Sequence, residues 1–369
     1  MKRTRASSLS EQIKKKVSIP LKKQAVGHIN QNDLVPMGST LLNLAMSGSI
    51  EGGAKKGTMV NIIGSSHGGK TMLALTSFAE TNRKESFKDY SFIYDDVECA
   101  NSFNMPYLFG KQTAQRIKSA RPEKEEQFSS TVQHFQANVS HYLKKDNPFL
   151  YVLDSFDALD AKEDQKKMEE MVDALEKDKK DVAGTYGMAK AKASSSILRN
   201  IISGLSKSKS VLFIVSQTRD NIDPRSFSKE TRSGGRALKF YAHHEMWLKS
   251  TGEIKKKDTA IGSKVEVNIT KNKILGTHRK VRFEIYYDYG IDDIGSCIDY
   301  LIEQGHWGGG GNAKIIHNGD FEFDNCTRPK MISLIEAGNL HKQLQEIVEV
   351  AWNEFEQELR LGRVSKYTD

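Results

Sequence analysis

The chain has 369 residues, 38% of them hydrophobic and 28% charged, enough to bury one full core and a smaller satellite domain. No apolar run approaches the roughly 20 residues a membrane helix needs, and three scattered cysteines, Cys99, Cys297 and Cys326, form neither a disulfide framework nor a zinc motif, which points to a reducing cytoplasm. The net charge is +8, and the excess gathers in residues 1–23, where eight basic residues face Glu11 alone.

In chain order, residues 1–35 read as a basic arm. Ser8 or Ser10 can cap a short helix through Lys16, followed by a brief extended piece ending at Pro20. Such an arm can track a nucleic-acid backbone, serve as a localisation signal or stand as a solvated tail. Residues 58–63 have the β-branched, apolar character of a buried strand, and residues 71–80 have that of a helix. Between them Gly64, Ser65, Ser66, His67, Gly68, Gly69, Lys70 and Thr71 match the phosphate-loop pattern GxxxxGK[ST], in the strand-turn-helix context it requires. Glycines let backbone N–H groups wrap phosphate oxygens, the helix start adds its positive dipole end, Lys70 neutralises β/γ-phosphate charge and Thr71 can ligate magnesium. The loop therefore implies a nucleoside triphosphate such as ATP with Mg2+, and His67 is expected to face solvent.

A second strand over residues 90–94 ends in Asp95, Asp96 and, two residues on, Glu98; a third, over residues 149–153, ends in Asp154. Asp154 is the candidate magnesium-side carboxylate, and Glu98 the candidate group to orient or activate an attacking water. A fourth strand over residues 211–215 leads to Gln217, which can sense a γ-phosphate. Acidic residues after a single strand are usually loop or cap residues; two such strands beside a phosphate loop reverse that preference.

The order of these motifs resembles that of the RecA recombinases, and more closely their phage relatives of the UvsX type. The resemblance rests on residues 37–48 with Gly52 and Gly53, on the phosphate loop, on Asp96 to Glu98, Asp154 with Ser155 and Gln217, and most specifically on residues 233–242 (SGGRALKFYA), Lys271-Asn-Lys273 and residues 289–291. It implies an α/β fold: a RecA-type P-loop NTPase core with a twisted, mostly parallel sheet flanked by helices over residues 36–303, preceded by the arm of 1–35 and followed by a small C-terminal α+β domain over 304–369.

The resemblance also implies that ATP sits between adjacent protomers of a helical filament, with Lys271 and Lys273 reaching the neighbour's phosphates, and with Glu98, Lys70 and Gln217 as further catalytic residues. Phe240 resembles a residue coupling that interface to the nucleotide, although a core aromatic reads equally well. The DNA-facing segments would follow the Asp154 and Gln217 strands. The second carries Arg219, Arg225, Phe227, Lys229 and Arg232; the first holds a charged insertion, residues 162–182, followed by Tyr186, Lys190 and Lys192. The implied activity is ATP-dependent pairing and strand exchange on single- and double-stranded DNA, with single-strand-binding and mediator proteins as possible partners, in the cytoplasm of a bacterial or phage-infected cell. A regulatory or motor ATPase on the same fold is the alternative. In the tail, Leu340, Leu344, Ile347, Val348, Ala351, Phe355 and Leu359 recur at helical spacing as an apolar face, after a small hairpin region near residues 313–323.

Overall fold

The structure, a computed structural model, describes residues 29–166, 188–220, 230–232, 235–309 and 315–363. The arm helix, the charged insertion beyond residue 166, Tyr186, Arg225, Phe227 and Lys229 lie outside the described residues. Residues 30–291 form one compact unit, and a second holds the chain from Asp292 onward.

The first unit opens with two short antiparallel strands, β1 (Leu34–Val35) and β2 (Ala54–Lys55), on either side of α1 (Thr40–Ser47), whose residues are all buried. Ser39 caps the helix start by accepting the Leu42 N–H at 3.3 Å, and Gly48 ends it at φ 75°. The last turn is satisfied from far away in sequence: the Asn272 amide donates to the carbonyls of Ala45 and Met46 at 3.2 and 3.1 Å. Close packing accounts for the glycine pair after this helix. A Cβ on Gly52 would stand 2.7 Å from the Val35 backbone, and one on Gly53 2.7 Å from Met46 Sδ.

There follow β3 (Met59–Gly64), α2 (Lys70–Asn82), β4 (Ser91–Asp96), α3 (Met105–Phe109), α4 (Lys111–Arg116), β5 (Ile117–Lys118), α5 (Val132–Leu143) and β6 (Phe149–Asp154). Beyond these come α6 (Met188–Ser208), β7 (Val211–Asp220), β8 (Glu230–Arg232), α7 (Gly235–Tyr241), β9 (His244–Lys256), β10 (Thr259–Asn272), β11 (Arg279–Tyr286) and β12 (Gly290–Asp292). The strands make one ten-stranded sheet in the order β12-β11-β10-β9-β3-β7-β6-β4-β5, with β8 attached to β7. From β9 to β5 neighbouring strands run parallel, while β10 is antiparallel to both β9 and β11. Every residue of β3 and β6 is buried, as befits parallel strands covered on both faces. On one face Phe135 and Val139 of α5 and Leu198, Ile201 and Leu205 of α6 pack against Tyr151, Leu212 and Ile214 of the sheet, each such burial contributing about 1.5–3 kcal/mol.

Two strands extend beyond their expected ends. β4 continues through Asp95 and Asp96, so these carboxylates belong to the strand and not to the turn after it. Asp95 is fully buried and accepts the Ser129 N–H at 2.8 Å, the Ser129 hydroxyl at 2.6 Å and the Tyr151 hydroxyl at 2.5 Å. Burial pushes its pKa up, and the Ser129 and Tyr151 hydrogen bonds oppose that shift. Its work is structural, fastening β4 to β6 and to the segment before α5. β7 runs on past Gln217, and Thr218 to Asp220 pair antiparallel with β8. The proposed second DNA-facing segment thus begins and ends as a ladder, with Arg219 opposite Thr231 and Arg232 opposite Thr218.

In the second unit α8 (Asp293–Glu303) is capped by Asp292, which accepts the Gly295 N–H at 2.8 Å. A three-stranded antiparallel sheet, β13 (Gly308–Gly309), β14 (Ile315–His317) and β15 (Cys326–Thr327), precedes α9 (Arg328–Ala337) and α10 (His341–Glu358). Arg328 ties α9 to α8 through Asp299 at 2.9 Å and Asp292 at 3.5 Å. The buried face of α10 is Leu344, Val348, Ala351 and Trp352. Leu359 falls just past the helix end and is 55% exposed, so the apolar face stops short of it.

Candidate active site

The parallel register brings the carboxyl ends of four strands to one edge. Asp96 lies beside Asp154, and Gly64 lies beside Gln217. The phosphate loop leaves β3 at Gly64, where a Cβ would stand 2.5 Å from the Leu248 carbonyl oxygen, and it closes at Gly69, in the left-handed region at φ +82°, where a Cβ would stand 2.5 Å from Ile285 Cδ1. Both positions therefore demand glycine. Ser65, Ser66 and His67 are exposed and Gly68 is buried. Gly68 N–H donates to the Ser65 carbonyl at 3.2 Å, and Lys70 Nζ donates to the same carbonyl at 2.6 Å. Burial lowers the Lys70 pKa, and the negative charges of Asp154, Glu98 and Asp157 counter it. Lys70 and Thr71 begin the 13-residue α2, so the positive end of its dipole opens onto the loop.

Thr71 Oγ1 donates to Asp154 Oδ2 at 2.6 Å, and the Tyr94 hydroxyl donates to the same oxygen at 3.2 Å. Burial raises the Asp154 pKa, the Thr71 bond opposes the rise, and the charge of Glu98 adds to it. Glu98 lies within a tight turn in which Val97 N–H donates to the Asp154 carbonyl at 2.8 Å and Asp96 accepts the Ala100 and Asn101 N–H groups at 3.4 and 3.2 Å. That turn carries the Glu98 carboxylate back over the sheet edge. There its Oε1 accepts the Ser155 hydroxyl and the Gln217 amide, the latter at 2.9 Å. Five residues singled out from sequence, Lys70, Thr71, Glu98, Asp154 and Gln217, thus converge at one edge. Tyr94 and Asp157 join them without having been singled out; an acidic residue three positions after a strand-ending Asp was the available signal for Asp157, and a tyrosine inside a buried strand gave none.

A metal fits this edge on donor chemistry. The Thr71 hydroxyl and the Asp154 carboxylate offer hard oxygen atoms next to the loop. Hard oxygen donors of this kind suit magnesium, which takes one or two protein oxygens together with substrate phosphates.

Lys271 and Lys273 lie elsewhere. Lys271 pairs with Glu245 at the level of Asn61, three residues short of Gly64 along β3 and two strands away, roughly 10 Å toward the amino end of the sheet. Its Nζ donates to the carbonyls of Lys239 and Phe240 at 2.5 and 2.9 Å, at the C-terminal end of α7. Lys273 is exposed, and its N–H donates to the His243 carbonyl at 3.0 Å. The His243 pKa is lowered to about 4, by burial first and then by the charges of Lys273, Lys271 and Lys55, a gathering of cations. Phe240 is 71% exposed and therefore not a core aromatic. Lys190, expected to face DNA, donates from Nζ to the Asp157 carbonyl at 3.1 Å and stands 5.3 Å from the Phe156 ring centre; Lys192 follows it on α6.

Against known proteins, residues 7–292 match the RecA N-terminal domain family. The chain is 30% identical over 279 residues to Protein RecA of Chloroherpeton thalassium, covering 74% of this chain and 69% of that one. It is 30% identical over 277 residues to Protein RecA of Ehrlichia ruminantium, 75% and 70% of the two chains. Protein RecA of Syntrophobacter fumaroxidans matches at 30% over 282 residues, 76% and 74%. With a phosphate loop, strand-end carboxylates and a glutamine on one edge of a mostly parallel sheet, the chain belongs to the RecA family of DNA-dependent ATPases and recombinases.

Proposed function

We propose that the protein polymerises on single-stranded DNA with ATP held between adjacent protomers, and that the filament promotes homologous pairing and strand exchange with duplex DNA. The observation that carries this reading is the separation of the two cationic parts of the site. Lys70 serves the loop at the carboxyl edge, whereas Lys271 and Lys273 lie roughly 10 Å away toward the other end of the sheet, too far for their own loop's phosphates. Two complementary half-sites, one at the carboxyl edge of the sheet and one set back from it and two strands away, suit a head-to-tail assembly, which extends as an open helix when its rotation does not close.

In this reading Thr71 and Asp154 hold Mg2+, which when bound neutralises charge on the β- and γ-phosphates. Lys70 and the loop N–H groups bind the phosphate oxygens. Glu98, kept in place by Ser155 and Gln217, orients the attacking water and takes its proton. Gln217 stands between Glu98 and the β7-β8 ladder, so DNA held by Arg219, Arg225, Phe227, Lys229 and Arg232, and on the other side by Lys190 and Lys192, would act on hydrolysis through it. The basic arm of 1–35 is assigned to protomer packing or DNA, residues 36–303 to the ATPase core and 304–369 to a small terminal domain, although α8 at the end of that core groups with the second compact unit. Single-strand-binding and mediator proteins are proposed partners, the cytoplasm the proposed location, and the likeness of residues 37–53 to phage members a proposed affinity. Among the described residues no helix is long and apolar enough to cross a membrane.

The test is the double variant Lys271→Ala with Lys273→Ala. ATP turnover on single-stranded DNA is expected to fall by about 10²-fold, while ATP binding by dilute, unassembled protein stays as in the parent. An equal loss in the unassembled protein would contradict action across an interface.

A further inference from the structure

Directly after Asp154 and Ser155 the chain makes a one-turn 3-10 helix, Phe156–Ala158. Its middle residue, Asp157, directs a carboxylate to the neighbouring strand: Oδ2 accepts the main-chain N–H of Gln217 at 2.5 Å. The location of this bond explains its use. The last register pair between β6 and β7 is Leu153 with Ile214, because β6 ends at Asp154 while β7 continues to Asp220. From there on, the edge of β7 that faced β6 lacks its strand neighbour, and the Asp157 carboxylate takes that place at Gln217. A carboxylate accepting a backbone N–H is a charge-assisted bond, stronger than the ladder bond it replaces. The turn is held from its other side as well, since Lys190 in the first turn of α6 donates to the Asp157 carbonyl at 3.1 Å. The Gln217 side chain leaves this fixed backbone and donates to Glu98 Oε1 at 2.9 Å.

We propose that Asp157 is a positioning residue for ATP hydrolysis: it anchors the Gln217 backbone past the end of β6, so that the Gln217 amide is delivered to the Glu98 carboxylate. The inference rests on the roles proposed above for Glu98 and Gln217. Asp157 acts through Gln217, and its loss should lower turnover with ATP still bound. A displacement of the order of 1 Å at Gln217 is enough to matter, because catalytic hydrogen bonds depend steeply on position.

Three variants and one combination test this on the full chain with single-stranded DNA. Asp157→Leu, branched at the same carbon but larger and without an acceptor, should lower kcat about tenfold with KM for ATP unchanged. Asp157→Asn, whose amide oxygen can still accept the Gln217 N–H, should recover most of that loss. The combination of Asp157→Leu with Gln217→Ala should be no slower than Gln217→Ala alone, since both act on one contact. Asp157→Leu at the parent kcat would overturn the proposal, as would equal kcat in the Leu and Asn variants, a change confined to KM, or losses that multiply in the combination. Should Asp157→Leu melt below the assay temperature, Asp157→Ala replaces it in the same comparison. Gln217→Ala with undiminished turnover would defeat the underlying roles of Glu98 and Gln217, whereas a slow Gln217→Ala beside a normal Asp157→Leu would defeat Asp157 alone.

Discussion

Replacing Lys70 with alanine is expected to lower ATP hydrolysis by about 10²- to 10³-fold, the scale set by removing one preorganised charge from a water-poor site. The ammonium is well sheltered at the start of α2, and its Nζ is held against the loop carbonyl of Ser65 at 2.6 Å. Burial works against its charge, and Asp154, Glu98 and Asp157 together support it. Alanine removes the cation and leaves Asp154 and Glu98 beside a polyanion with less to offset them, so nucleotide affinity should fall as well as turnover. Phosphate release and direct ATP binding on the purified variant check this; rates within twofold of the parent would remove Lys70 from the phosphate site.

Glu98→Gln is expected to behave differently, with turnover falling by about 10²- to 10⁴-fold, the usual worth of a general base, while ATP is still bound. The substitution keeps the size of the side chain and an oxygen that can accept from Ser155 and Gln217. What it removes is the ability to take a proton. Binding without hydrolysis should also lengthen the life of any ATP-dependent assembly on DNA. A parent-like rate in Glu98→Gln would move the water-activating role to another group at the same edge, with Asp154 and Asp96 as the neighbouring carboxylates.

The parts of this site that were legible in the sequence are those fixed by local spacing. A phosphate loop must join a strand to a helix within a few residues, so Gly64 to Thr71 announce both the turn and its neighbours. Continuous apolar runs ending in acidic residues likewise announce buried parallel strands with functional ends, as at Asp154. What was not legible depends on pairings between distant segments. Nothing near Asp95 in sequence reveals that Ser129 and Tyr151 will enclose it, and this turns an expected edge carboxylate into a buried fastening. The run from Thr218 to Arg232 is polar and reads as loop, yet its two ends pair where β7 runs on beyond both of its parallel neighbours. Phe240 follows an apolar pattern and still emerges on the surface, since α7 is short and its last turn is closed by Lys271 from β10. Leu359 keeps helical spacing with the tail face but falls where α10 has ended. The separation of Lys271 from the phosphate loop is likewise a matter of strand register, and only the fold supplies it.

DNA-dependent ATP hydrolysis is tested most directly by phosphate release from the purified protein with no DNA, with single-stranded DNA and with duplex, using Lys70→Ala as the blank. Strong stimulation by single strands, with Lys70→Ala silent throughout, is the predicted result. Turnover indifferent to DNA, at a rate that Lys70→Ala abolishes, would contradict the recombinase account and leave a regulatory ATPase built on the same fold.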